Sequence, residues 1–348
     1  MRKKKQPVTY QILSKYRGVL MGVSIIFIIL FHYLDDVRTS GTTFTAVQKW
    51  IYRYISSSNV DIFILVSSLG LYFSMKKNRN LLSFYKRRFT KILIPYLLIA
   101  VPAIYWRQVI FYQRGMRSFL EYLAVPLSVR WFWYIWLICF CYLIFPYVFD
   151  IFESAGDRIQ EQMYLAGIFT AITVFAMLLK QYAPEVFDRY EVALLRLPWF
   201  FAGCMLGKAS YEKRKINGGL LLFILFSFLL VPLREYGSQI LTRYVLTGFN
   251  MSLCFLLVFF LYGLSGVNAL SFIYRPVIFI LELFGKYSLE LYLTHVAIRR
   301  VMLEFKYPMQ DIRYEAFMVI LSMIVSFLLK PISGFLEKLI INLPFWKE

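Results

Sequence analysis

The chain has 348 residues, of which 59% are hydrophobic and 17% charged, whereas ordinary soluble domains contain about 45–50% and 25% of these classes. Lysine and arginine number 39 against 20 acidic residues, for a formal charge of +19. These values exclude a disordered chain, a disulfide scaffold and most soluble enzymes. Without a recognition motif, the excess cations fit membrane-edge anchors and not nucleic-acid binding.

Apolar runs close to the length that crosses a bilayer, about 17–25 residues, recur along the whole chain. Ten candidate spans cover residues 18–34, 60–75, 92–106, 132–149, 163–179, 194–209, 218–233, 244–262, 277–298 and 316–329. Pro95 and Pro102 interrupt the third run. The sequence predicts an all-α fold, a polytopic integral membrane bundle of about ten transmembrane helices.

The first run follows a basic segment at residues 1–5, as in a signal peptide. It ends at residues 31–36 without a small-x-small cleavage site, so we expect a retained first helix. The loops between spans are too short to fold separately. We therefore expect one membrane domain over residues 1–348, with no fused soluble domain.

Alternate loops carry 22 and 16 cations, with Lys286 inside a span. Cytoplasmic loops carry the excess of Lys and Arg. This predicts a multi-pass protein of the cytoplasmic membrane with both termini in the cytoplasm. One missed or extra span would reverse the predicted membrane orientation of the later half of the chain.

Chemistry must come from polar residues in or beside the spans, where each polar group is costly. The two histidines, His32 and His295, lie near the ends of the first and ninth spans. Both spans run outward in this topology, so the histidines should lie at similar depth toward the extracytoplasmic side. A desolvated imidazole suits general base chemistry, although a structural role is the alternative for each.

Three cations lie at the starts of predicted helices. Arg17 precedes His32 by 15 residues, about 22 Å along a helix, so one helix holds a cation near the cytoplasm and an imidazole near the far leaflet; the alternative is a positive-inside anchor. Arg88 and Lys91 are three residues apart and share a helix face. They suit the phosphates of coenzyme A, although attraction to anionic lipid explains them equally well.

Four further polar positions complete the candidates. Glu282, Lys286 and Glu290 recur every four residues, which aligns them on one helix face as a neutralising ladder with a structural role. Asp61 opens the second span and is placed to cap it.

Four segments resemble the acyltransferase 3 family of bacterial membrane enzymes. Residues 17–22 with His32 resemble its first helix, and residues 60–74, VDIFILVSSLGLYFS, resemble its VDxFF…SGFxL helix. Residues 88–96, RFTKILIPY, resemble its R-x-x-R-I…P-Y segment. Residues 285–295, GKYSLELYLTH, resemble its G-x-x-S-x-x-x-Y-L-x-H helix. The ordered set covers nearly the whole chain, although no single motif is specific.

Three departures bear on individual roles. The family's usual R-x10-H spacing would place arginine at Met21, one helical turn after Arg17. Ser68 stands where glycine is usual, and Lys91 replaces the second arginine of R-x-x-R. Lysine keeps the charge but loses bidentate geometry.

The resemblance implies a membrane O-acyltransferase, most often an O-acetyltransferase. It would move an acyl group from cytoplasmic acetyl-CoA to a hydroxyl of an extracytoplasmic acceptor, such as an envelope or exported glycan, with membrane lipids as its other partners and no metal. His32 would be catalytic, by deprotonating the acceptor or by carrying the acyl group. The other implied roles are donor binding by Arg17, Arg88 and Lys91, and substrate contact or support by His295, Glu290, Asp61 and Ser67.

A transporter of a glycan or lipid-linked intermediate is the alternative, because about ten helices also suit that task. The sequence lacks the paired half-repeats with matching broken helices that many transporters carry. This favours the enzyme. Acceptor identity, acyl length and oligomeric state are not encoded in any motif that we recognise.

Overall fold

The computed structural model describes residues 8–55, 60–124, 132–267 and 270–342. Within these ranges the chain is helical apart from short connections and one bridge between Thr9 and Lys215. The first eight helices are α1 (Gln11–Lys15), α2 (Arg17–Thr39), α3 (Ala46–Ile55), α4 (Val60–Lys77), α5 (Leu81–Pro95), α6 (Val101–Tyr105), α7 (Gly115–Ala124) and α8 (Trp133–Ser154). The others are α9 (Arg158–Tyr182), α10 (Pro184–Leu194), α11 (Leu197–Tyr211), α12 (Gly218–Leu229), α13 (Gln239–Ser265), α14 (Ser271–Lys286), α15 (Ser288–Glu304) and α16 (Ile312–Ile341).

Polar side chains mark where several helices begin. The N–H groups of a first turn have no partner inside the helix, so an Asp, Asn or Ser just before it supplies one. Five residues cap α5, α9, α12, α13 and α16 in this way: Asn80, Asp157, Asn217, Ser238 and Asp311. These helix starts follow from local sequence.

Among the described residues, seven helical stretches are long and apolar enough to cross a membrane. They are Arg17–Thr39, Leu81–Phe111, Trp133–Ser154, Arg158–Tyr182, Pro184–Tyr211, Gln239–Ser265 and Ile312–Ile341. The predicted all-α polytopic membrane fold is confirmed. The predicted count of about ten spans is not confirmed. α4 and α12 do not meet the combined length and hydropathy of the seven, and the ninth predicted span is divided between two helices.

That ninth span, residues 277–298, is wrong as a single helix. α14 ends at Lys286 and α15 begins two residues later, with Tyr287 between them in a non-helical conformation. Glu290 therefore lies on a different helix from Glu282 and Lys286, and the predicted one-face ladder is wrong. Hydropathy alone does not reveal this break, because the apolar run continues through it; the one local signal is Gly285, two residues before Tyr287.

The third span is longer than its apolar run. One helical stretch, Leu81–Phe111, passes through both Pro95 and Pro102. Proline lacks an N–H and crowds the carbonyl four residues earlier, so regular α-helical bonding cannot continue unchanged. The stretch widens into π-helical turns at Tyr96–Ala100 and Trp106–Phe111. The two prolines therefore change the local hydrogen-bond spacing of this helix without ending it.

The helices fall into two compact units, each assembled from three stretches of chain. The first unit comprises Met1–Ser24, Tyr54–Asn78 and Phe145–Lys286; the second comprises Ile25–Arg53, Arg79–Ile144 and Tyr287–Glu348. Because these stretches alternate, no single cut in the chain separates the units. The single domain over residues 1–348 stays a prediction.

In the first unit, α4 packs lengthwise against α11. A Cβ atom built on Gly203 of α11 would lie 2.2 Å from the Leu65 carbonyl oxygen of α4 and 2.9 Å from Cβ of Ser68. Only a residue without a side chain allows the two backbones to approach this closely. The contact therefore depends on glycine at position 203.

In the second unit, α15 packs against α16, and α16 packs against α5. The part of α2 that follows Ser24 belongs to this unit as well. Both histidines, and both cations of the RFTK segment, therefore lie in the second unit.

We expect Gly203→Ala to destabilise the protein by about 1–3 kcal/mol, because the added methyl group forces α4 and α11 apart. Thermal unfolding of the purified protein in detergent measures this. Gly167→Ala on α9 is the matched control, since a Cβ there meets nothing within 4 Å and alanine is the better helix former. Equal unfolding temperatures for Gly203→Ala and the unmodified protein would contradict the close approach.

Candidate active site

The two imidazoles meet inside the second unit. Nδ1 of His32, on α2, lies 2.8 Å from Nε2 of His295, on α15, and the ring centroids are 4.9 Å apart. His295 is fully buried, and His32 is half-buried. The structure therefore brings together the only two histidines of the sequence.

Only one of the two facing nitrogens carries the shared hydrogen. If His32 Nδ1 donates it, His32 Nε2 keeps a lone pair that can take a proton from a substrate. His295 Nε2 then accepts and stabilises the imidazolium that forms. In this state His295 Nδ1 bears a hydrogen, and that buried atom has no hydrogen-bond partner among the described residues.

A buried ion pair lies one helical turn beyond the histidine pair. Asp36 follows His32 by four residues, and Arg299 follows His295 by four. The Arg299 guanidinium binds the Asp36 carboxylate with two nitrogens, with Nε at 2.7 Å from Oδ2 and Nη2 bonded to Oδ1. The same two helices are thus joined at two successive turns.

A second polar group occupies the end of α15. Arg107 Nε donates to Glu304 at 2.6 Å, and the Tyr112 hydroxyl donates to the other oxygen at 2.5 Å. Burial favours a higher pKa for the Glu304 carboxyl, but the bonds from Tyr112 and Arg107 outweigh it and keep that pKa below its usual value. Polar pairs therefore continue from the histidines to this end of the unit.

At the opposite end of the unit, α5 carries Arg88 and Lys91, the two cations of the RFTK segment. The half-buried Arg88 guanidinium lies 5.9 Å from the ring centroid of Phe84, and Lys91 is exposed and interacts electrostatically with Glu337 of α16. Lys86 has a different task, since its ammonium donates to the Ile341 carbonyl at 2.5 Å. It satisfies a carbonyl in the last turn of α16.

Arg17 lies in the first unit, at the start of α2. Its guanidinium packs against Gly70 of α4 so closely that a Cβ at position 70 would lie 2.2 Å from Nη1. This contact accounts for glycine at that position. The donor-binding role of Arg17 stays a prediction.

Asp61 and Ser67 also lie in the first unit, on α4. The buried Asp61 carboxylate lies 3.2 Å from Arg196 Nε and accepts from the Thr247 hydroxyl at 3.3 Å. These partners tie α4 to neighbouring helices and indicate a structural role. Ser67 is half-buried. Their contact with substrate stays a prediction.

Glu290 is almost fully buried in the first turn of α15. Both its oxygens accept from the Lys330 ammonium of α16, at 2.8 and 3.0 Å. Glu290 therefore pairs with Lys330, 40 residues later, whereas the spacing pointed to Lys286.

The sequence interpretation missed Asp36, Arg299 and Lys330. The signal for the first two was their spacing of four residues from each histidine, which places them on the histidine faces of their helices. Nothing in the sequence indicates that α2 and α15 are neighbours. No cluster of three or more metal-ligating side chains occurs in the described part of the chain.

Long apolar helices with a hydrogen-bonded imidazole pair define an integral membrane protein whose site is suited to proton transfer. The profile of the acyltransferase 3 family, an acyltransferase domain, matches residues 19–330. The chain therefore belongs to this family, and the resemblance carried by its four motifs is confirmed. No curated protein and no solved structure matches the chain.

Asp36→Ala should destabilise the protein by about 3–5 kcal/mol, because it leaves the Arg299 guanidinium buried without its counter-charge. Replacing the pair with Asp36→Leu and Arg299→Met together should recover most of that loss, since two apolar side chains need no partner. Denaturant unfolding of the purified protein measures both changes.

The exposed pair Arg117–Glu121 provides the control. Arg117→Met should change stability by less than about 1 kcal/mol, since water solvates both charges. If the double variant is as unstable as Asp36→Ala, the loss does not come from an unpaired charge.

Proposed function

We propose that the protein is an O-acyltransferase, specifically an O-acetyltransferase, that uses cytoplasmic acetyl-CoA. The acceptor is a hydroxyl of an extracytoplasmic molecule, an envelope or exported glycan. The hydrogen bond between His32 and His295 carries this proposal. It leaves one imidazole nitrogen for the acceptor hydroxyl in a chain that belongs to an acyltransferase family.

In the proposed reaction, His32 Nε2 takes the proton of the acceptor hydroxyl as the oxygen attacks the thioester carbonyl. The new O–C bond forms, the C–S bond breaks, and the His32 imidazolium returns the proton to the departing thiolate. The products are the acyl ester and coenzyme A. His295 holds the His32 tautomer and stabilises the imidazolium, a task that a carboxylate performs in serine hydrolases.

A second course has the same atom balance. His32 Nε2 first attacks the thioester carbonyl, the C–S bond breaks and coenzyme A departs as the thiolate. The acceptor hydroxyl then attacks the acyl-histidine, which frees Nε2, and the hydroxyl proton passes to the thiolate. Both courses need the His32 imidazole. They differ in whether an acyl-histidine forms before the acceptor binds.

The donor would bind through Arg88 and Lys91. Both lie on α5 with a spacing of three residues, so they present two positive charges on one face. The phosphates of coenzyme A suit such a pair, with Arg88 offering planar bidentate donors and Lys91 a point charge. Bound there, the pantetheine arm would extend along the helices toward His32.

The proposed setting is the cytoplasmic membrane, with both termini in the cytoplasm. Two cation-rich segments, residues 2–17 and 76–91, support it, because the two predicted spans between them place both segments on the same side. In this orientation the RFTK cations lie on the cytoplasmic side, and the histidine pair lies toward the extracytoplasmic side. The donor and the acceptor then approach from opposite faces of the membrane.

His32→Gln should lower acyl transfer by about 10²-fold or more, because glutamine forms hydrogen bonds but cannot accept a proton at neutral pH. Transfer of label from [¹⁴C]acetyl-CoA by purified protein in nanodiscs measures this, with coenzyme A binding as a check on folding. His295→Gln is the comparison and should weaken transfer without abolishing it. If His295→Gln is inactive and His32→Gln is not, the roles are reversed; activity in both excludes the histidine mechanism.

Arg88→Ala and Lys91→Ala should each raise the KM for acetyl-CoA by about tenfold, since each removes a charged contact with a phosphate. Arg87→Ala is the matched control: Arg87 lies on the same helix, is exposed, and donates to the Ser83 carbonyl. Steady-state kinetics with acetyl-CoA as the varied substrate distinguish the three. Unchanged donor KM in both test variants would show that these cations only anchor the helix.

A further inference from the structure

Glu315 lies in the first turn of α16 and is only 4% exposed. Neither carboxyl oxygen has a hydrogen-bond partner among the described residues. A buried carboxyl without a partner is costly, because it loses its hydration and gains nothing in return. Such a group is a candidate ligand-binding residue.

The other buried carboxylates differ from Glu315. Among the described residues, each of them has an ion-pair partner within 4 Å: Asp36 with Arg299, Asp61 with Arg196, Glu161 with Lys208 and Arg214, Glu191 with Arg243, and Glu290 with Lys330. Pairing is thus the rule for acidic groups inside this protein. Glu315 departs from it in the unit that contains the histidines.

The position of Glu315 relates it to the histidine pair. Its carboxyl interacts electrostatically with both Asp36 and Arg299, which already bind each other through two hydrogen bonds. Asp36 and Arg299 lie one turn, about 5.4 Å, beyond His32 and His295. Glu315 is therefore near the ion pair that lies one helical turn from the proposed reaction centre, on the extracytoplasmic side in the proposed orientation.

The chemistry of this position favours a neutral, hydroxyl-rich ligand. A carboxyl accepts hydrogen bonds in either protonation state, and a hydroxyl is the donor that an acceptor substrate offers. Asp36, close by, disfavours a second anion such as a phosphate. Buried methionines at positions 302, 309 and 318 pack together; Met318 follows Glu315 by three residues on α16, and its flexible side chain can adapt to a ligand held there.

We propose that Glu315 binds the acceptor by accepting hydrogen bonds from hydroxyls that flank the one acylated at His32. The acceptor is then a neutral polyol, such as a sugar with free neighbouring hydroxyls. This inference rests on the proposed acyl transfer. It assigns Glu315 to acceptor recognition and leaves donor binding and proton transfer unaffected.

The test compares an acceptor that has flanking hydroxyls with one that has none. Purified protein in nanodiscs receives [¹⁴C]acetyl-CoA with maltose, with 1-butanol or with water alone. Glu315→Gln should raise the KM for maltose about tenfold or more, because the glutamine amide offers one acceptor oxygen where the carboxyl offers two. Transfer to 1-butanol and hydrolysis should be unchanged.

Asp311→Asn is the matched control. It removes one negative charge from the same end of α16, and asparagine still caps the helix. Its kinetics with maltose should equal those of the unmodified protein. An unchanged maltose KM in Glu315→Gln overturns the proposal, and so does an equal fall in transfer to maltose and to 1-butanol.

Thermal unfolding provides a readout that does not depend on turnover. Glu315→Met should leave the unfolding temperature unchanged or raise it, because it removes an unpaired buried carboxyl beside a methionine cluster. A lower unfolding temperature would assign Glu315 a structural role and overturn the proposal. If the unmodified protein neither hydrolyses acetyl-CoA nor transfers its acetyl group, the proposed function fails. The inference then stands only if maltose raises the unfolding temperature of the unmodified protein more than it raises that of the Glu315→Gln variant.

Discussion

The ion pair between Asp36 and Arg299 sets the register between α2 and α15. In a membrane interior an unpaired charge is costly, so the two helices must align where this carboxylate and this guanidinium meet. Once they are aligned, residues four positions earlier on both helices are also opposite each other. His32 and His295 thus meet because of a contact one turn away, and that contact is sufficient to align them for their hydrogen bond.

The same constraint orders the rest of the second unit. Lys330 neutralises Glu290 inside the bundle, and Lys86 satisfies the last turn of α16. Each cation has a partner that the low dielectric makes necessary. Against this background, a polar atom without a partner is informative. His295 Nδ1 and the Glu315 carboxyl are such atoms among the described residues, and both lie close to the site where the chemistry is proposed.

Local signals in the sequence were sufficient for the fold class and for selecting the two histidines that the structure brings together. Apolar runs predicted a membrane bundle, and the cost of a polar group in such a run selected both histidines. Contacts between distant residues were not predictable. The partner of Glu290 lies 40 residues away, and the spacing rule chose Lys286 because it assumes one continuous helix through Tyr287. Periodicity describes a single helix, whereas ion pairs depend on which helices are neighbours.

The contact between Arg17 and Gly70 has a consequence for evolution. The guanidinium occupies the space that a side chain at position 70 would need, so the two positions cannot change independently. A guanidinium one turn later, at position 21, would vacate that space and permit larger residues at position 70. Positions 17 and 70 should therefore covary, and glycine at position 70 should persist where the arginine precedes the histidine by fifteen residues.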